Sequence, residues 1–165
     1  MRCCAPGSLC KIVCYRLSVV PKPSSSKPAL GSADYARLAS FRYALRSFLY
    51  FSEAAAERVG LTGQQYQALL VVRSLSGTAL VSIADLAEQL LIKHNSAVGL
   101  ADRLVAQSLM VRQRVPENRR KVQLRLTRKG ETVLEKLAAI HRRKLRRIGP
   151  EINRALEELT GAWRE

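Results

Sequence analysis

Residues 82–130 read SIADLAEQLLIKHNSAVGLADRLVAQSLMVRQRVPENRRKVQLRLTRKG, and this stretch decides the fold. Ser82 is a helix-capping residue, and Asp85 three positions on suits the positive end of the short helix that follows. Leu86, Ala87 and Leu90 give that helix one apolar face. After Leu91 to His94, Asn95 is expected to cap another helix to about Gln107, with Ala97, Leu100, Ala101 and Leu104 turned inward. That phase leaves Ser96, Gly99, Asp102 and Arg103 nearer solvent. Val122, Leu124 and Leu126 alternate with Lys121, Gln123 and Arg125, the period of a half-buried strand. Val111 to Val115 is its weaker partner, with Arg112 and Arg114 on one face, and Pro116-Glu117-Asn118-Arg119 is the expected turn. From Lys93 to Gly130 ten basic residues face only Asp102 and Glu117, a net +8 of the chain's +15. Two helices followed by an arginine-rich hairpin can hold duplex DNA in both grooves.

The flanks read as helices. From Asp34 to Val59 apolar residues recur at Tyr35, Leu38, Phe41, Leu45, Phe48, Leu49 and Ala55, and Gly60 ends the stripe. Phe41, Tyr43, Phe48, Tyr50 and Phe51 crowd this helix, which with Tyr35 holds six of the eight Phe and Tyr residues. One helix cannot bury so many, so another subunit or a ligand pocket is expected to share them. Thr62-Gly63-Gln64-Gln65 fits a capping box opening a helix to about Leu75, broken at Ser76-Gly77. Thr127 is expected to cap a long helix to about Ile148, with Val133, Leu134, Leu137, Ala138, His141 and Leu145 on one side. Gly149-Pro150 is expected to end it and to start a last helix carrying Ile152, Leu156, Leu159 and Trp163.

The 165 residues suffice for one domain with a core, and 28 basic against 13 acidic residues favour a polyanionic partner. No apolar run approaches the roughly 18 residues needed to cross a membrane. Lys11 and Arg16 interrupt any signal core, so a cytoplasmic location is expected. Cys3, Cys4, Cys10 and Cys14 match no familiar zinc spacing and have no histidine near them; their role stays open. With Pro21, Pro23, Ser24 to Ser26 and Pro28 they make residues 1–31 a flexible extension and linker. Two isolated histidines, His94 and His141, make no metal site, and His141 is expected to be packed or interfacial. No nucleophile–base set, carboxylate pair or phosphate-cradling loop is present, so neither catalysis nor a cofactor is expected.

Five pieces in order now resemble the MarR-type (multiple antibiotic resistance regulator) winged-helix regulators. They are Leu61-Thr62-x-x-Gln65-Tyr66, Ile83-x-x-Leu86-Ala87-x-x-Leu90, Leu100-Ala101-Asp102-Arg103-Leu104, Leu109-x-x-Arg112, and Pro116-Glu117-Asn118-Arg119-Arg120 followed by Leu126-Thr127-x-x-Gly130. The match covers about residues 34–163. Three positions depart from the family's pattern: Asn118 replaces a usual Asp, Ser108 a helix-ending Gly, and Gly99 a polar or basic recognition residue.

The resemblance implies a mainly α fold with a small β-wing, a winged helix-turn-helix flanked by N- and C-terminal dimerisation helices. Residues 32–165 would form one domain, with the DNA-binding part at about 61–127 and dimerisation helices at about 34–59 and 128–163. It implies a homodimeric repressor on an inverted repeat in double-stranded DNA, released by a small aromatic or phenolic effector. Asn95, Ser96, Val98, Gly99 and Arg103 would face the major groove. Arg120 would enter the minor groove, with Arg119, Lys121, Ser82 and Arg112 on wing and phosphate. Asp102 and Arg103 are equally suited to an ion pair with the wing. Tyr43, Phe48, Tyr66 and Arg73 are the candidate effector pocket, though core packing also suits them. A winged-helix module binding nucleic acid without sequence preference, or adapting between proteins, is the alternative.

Overall fold

Capping chemistry sets the first helix starts. In the computed structural model, which describes residues 30–76, 81–115 and 118–162 (the side chains of 115, 118–121 and 162 excepted), α1 spans Ser32–Glu57 and α2 Gly63–Leu75. Thr62 Oγ1 accepts from the Gln65 amide at 3.2 Å while Gln65 Oε1 accepts from the Thr62 amide at 2.8 Å, the expected capping box. Ser82 and Asp85 do the same for α3, Ile83–Gln89. Then come α4, His94–Ala106, the strands β1, Met110–Val115, and β2, Asn118–Leu126, and α5, Arg128–Ala162. The four cysteines, Gly77, Pro116, Glu117 and Trp163 lie outside the described residues.

Three helix ends share one device. Gly60, Leu91 and Ser108 take positive φ (78°, 54° and 59°). The next amide then returns to a carbonyl five residues back: Leu61 to Ala56, Ile92 to Ala87 and Leu109 to Leu104, each at 3.0 Å. Each reversal brings an apolar side chain back onto the core. Ser108 therefore occupies a left-handed position that glycine fills more cheaply. Ser108→Gly should raise unfolding free energy by about 1 kcal/mol, read from urea denaturation; an unchanged midpoint would show that the position carries no strain.

The core runs through Leu69, Val72, Leu86, Leu100, Leu104, Met110, Leu124 and Leu137, so α2, α3, α4, both strands and α5 share it. The strands are antiparallel, and Val81 adds a third rung by accepting from the Leu124 amide at 2.7 Å. Leu126-Thr127-x-x-Gly130 has a structural job. The Thr127 amide donates to the Leu109 carbonyl (3.1 Å), Thr127 Oγ1 donates to the Ser108 carbonyl (2.7 Å), and the Gly130 amide donates to Thr127 Oγ1 (3.0 Å). Lys129 Nζ reaches the Gln107 carbonyl at 2.9 Å. These bonds lock the start of α5 onto the corner between α4 and β1.

The structure corrects three expectations. The expected break at Gly149-Pro150 is absent, and the two expected C-terminal helices are one helix with Pro150 inside. Leu134, Leu137, His141, Ile148, Ile152, Ala155 and Leu159 keep one helical phase across that step, and Leu134, Leu137, His141, Ala155 and Leu159 are buried. A break would forfeit this shared face, whereas continuity costs one backbone bond and the proline ring's crowding. Asn95 is not the cap of α4: the helix starts at His94 after extended Lys93, with no side-chain cap bond. Leu91's reversal and Ile92's packing on the core set that start two residues early. The four-residue turn is narrower, because Asn118 and Arg119 already belong to β2. Tyr35, Leu45 and Leu49 of the α1 stripe are exposed in the single chain, while Ala55 is buried.

Candidate nucleic-acid interface

α4 divides by face as its periodicity requires. Ala97, Leu100, Ala101 and Leu104 are buried, while Asn95, Ser96 and Arg103 are exposed and Val98 and Gly99 half-buried. Gly99 leaves the middle of the outer face shallow. A Cβ there would lie 3.6 Å from Arg103 Nη1, so the Arg103 guanidinium lies beside this glycine.

The strand register explains Arg112. Arg112 opposes Leu124 and Arg114 opposes Val122, so both arginines share the face of the apolar residues rather than the outer one. Arg112 Nη1 pairs with Asp102 Oδ1 at 2.9 Å and Nη2 donates to the Val98 carbonyl at 3.4 Å. The wing is thereby strapped to the helix beside it. Asp102, not Arg103, makes this pair, and Arg103 forms no ion pair among the described residues. Both partners are over a third exposed, so the pair adds little to stability. Its effect is on orientation. Asp102→Asn should weaken duplex binding about tenfold in a fluorescence titration, although it makes the chain more positive; tighter binding would show that charge alone matters.

On the outer face, Arg125 Nη1 donates to Gln113 Oε1 at 3.4 Å. Arg119, Arg120 and Lys121 fall in the first residues of β2, at the far end of the wing, and their side chains lie outside the described residues. Ser82 is half-buried, and its hydroxyl and amide both donate to the Asp85 carboxylate, at 2.7 and 2.8 Å.

A cleft of about 650 Å³ opens between α1, α2 and α5. Phe48 and Tyr66 line it, with Ser52, His141 and the rim arginines Arg142 and Arg146. His141 is buried, stacked on Tyr66 at 4.5 Å and edge-on to Phe48 and Phe51. Its Nδ1 lies 2.6 Å from the Leu137 carbonyl and its Nε2 lies 2.8 Å from Ser52 Oγ. A carbonyl can only accept, so Nδ1 carries a proton, and Nε2 shares the second hydrogen bond with the Ser52 hydroxyl. Burial pushes the Tyr66 hydroxyl above the ordinary phenol range. Of the other two sequence candidates, Tyr43 lines a smaller cavity of about 180 Å³ between α1 and α5, and Arg73 is exposed and lines neither space. Sequence reasoning missed Ser52, whose signal was its place on the helix turn between Phe48 and Ala55.

A short helix, a second helix turned across it and a strapped two-stranded wing define a winged helix-turn-helix protein. Residues 59–121 match the pattern of the MarR family. Among solved structures it is similar to RV1404 from Mycobacterium tuberculosis, at 26% identity and TM-score 0.61 over 81% of this chain and 95% of that one. It is also similar to AbsC, a MarR family transcriptional regulator from Streptomyces coelicolor (21% identity, TM-score 0.67, 84% and 94% covered). A third is a mutant MepR from S. aureus bound to an oligodeoxyribonucleotide (18% identity, TM-score 0.58, 78% and 91% covered). No curated protein matches the chain.

Proposed function

We propose that this protein is a homodimeric transcriptional repressor that reads an inverted repeat in duplex DNA and is released by a small aromatic effector. The exposed face of α4, tied to a basic wing by Arg112, carries the DNA-binding part. Asn95 and Arg103 offer the side chains suited to adenine and guanine edges, Ser96 and Val98 looser contacts, and Arg119 to Lys121 the wing's charge. The flat surface at Gly99 shifts discrimination toward duplex shape. Pairing of two copies is supported by Tyr35, Tyr43 and Tyr50 on α1, exposed by 61%, 69% and 76%. A two-fold contact would cover them. The effector reading is supported by the aromatic walls of the cleft beside His141.

Selection from a random duplex pool should return an inverted repeat with half-sites about 10 base pairs apart, centre to centre. Affinity for it should fall steeply with salt. Equal affinity for the selected and scrambled duplexes would instead mean non-specific binding.

A further inference from the structure

From Lys136 to Arg147 α5 carries six basic residues and no acidic one. Lys144 turns over the Phe51 ring at 5.2 Å. Arg142, Arg143, Arg146 and Arg147 are exposed, and none forms an ion pair with another described residue. A favourable helix C-terminus would explain them had α5 stopped at Gly149, but the helix runs to Ala162. Arg147 thus lies roughly four turns from the end, beyond the reach of a terminal effect. Arg142 with Arg146 and Arg143 with Arg147 are like charges one turn apart, which oppose helix formation. The fold gains nothing from the array.

The array is not on the wing, and Arg142 and Arg146 border α2 rather than α4. The array begins about 20 Å along the axis from the start of α5 at the wing base. We infer that Arg142, Arg143, Arg146 and Arg147 form a second phosphate-binding surface that takes the backbone of another duplex segment. Guanidinium forks match phosphate oxygens. The four arginines span about 7.5 Å of helix axis, against a strand that presents a phosphate about every 3.4 Å. α5 has no Phe, Tyr or Trp from 128 to 162 to stack on single-stranded bases, and beside the array Leu145 alone among its large apolar residues is exposed, too little to anchor it in a lipid interface. A two-fold contact through this patch would set the four exposed arginines against their own copies, which disfavours a second copy of the chain as its occupant.

The test compares the full chain with a variant carrying Arg142→Gln, Arg143→Gln, Arg146→Gln and Arg147→Gln. Each is loaded on an immobilised short duplex holding the selected inverted repeat, and capture of a labelled duplex of unrelated sequence is measured. The parent should capture it, and the variant at least tenfold less, with equal loading on the first duplex and an unchanged circular dichroism spectrum. The salt slope of capture should fall by about three. Capture equal in both proteins, or absent in the parent, overturns the proposal. So does unchanged capture together with loss of binding to phosphatidylserine vesicles. If neither protein loads on the repeat, the groove-reading proposal fails separately. The second site is then read from binding of the unrelated duplex to chains that also carry Arg119→Gln, Arg120→Gln and Lys121→Gln. There the α5 substitutions should abolish the remaining affinity, and a remaining affinity that they leave unchanged overturns the second site.

Discussion

Gly130→Ala should be the most damaging single-methyl change in this chain. A Cβ at residue 130 would lie 2.0 Å from the Leu109 carbonyl oxygen and 3.0 Å from its carbon, and both atoms are backbone. No side chain can rotate away. The first turn of α5 must withdraw, and the Thr127 bonds to Leu109 and Ser108 stretch with it. The loss should be about 3 kcal/mol or more, a fall of roughly 10 °C in melting temperature. Duplex affinity should fall too, because the same bonds hold the corner from which the wing leaves α4. Gly161→Ala is the control: it lies next to the end of the same helix with open space around it and should change stability by less than about 1 kcal/mol. Matching melts for the two variants would sink the close-approach argument.

The second large effect is expected at His141. Replacing it with Ala removes a ring stacked on Tyr66 and flanked by Phe48 and Phe51, opens a cavity, and leaves Ser52 Oγ without its partner. The cost should be about 2–4 kcal/mol in urea denaturation. Ser52→Ala keeps the ring and should cost about 1 kcal/mol. The double variant should lose less than the sum, since both substitutions break one bond. Strict additivity would mean that the two side chains do not bond in solution.

Much of this was legible because the signals were local. Thr62 with Gln65 and Ser82 with Asp85 identify helix starts from four residues each, and period-2 alternation identified β2. The C-terminal region misled for the same reason. Gly149-Pro150 is strong local punctuation, but the phase shared by Leu137, His141, Ile148, Ile152, Ala155 and Leu159 outweighs it. Leu91 gave no sign of a left-handed turn, since leucine does not favour one. Tyr43 and Phe48 could not line one wall: five residues apart on a helix is about 140° around its axis. The partnership of Asp102 with Arg112 needed the strand register, which only the paired structure supplies.

The uninterrupted course of α5 has a mechanical consequence. Its 35 residues make a rod about 52 Å long, clamped at one end to the corner that carries the wing. A tilt of only 5° at that clamp moves the far tip by about 4–5 Å. In the proposed dimer, an effector wedged in the cleft against the rod's first half would therefore change the separation of the two reading heads by more than a base-pair step, with little rearrangement where it binds.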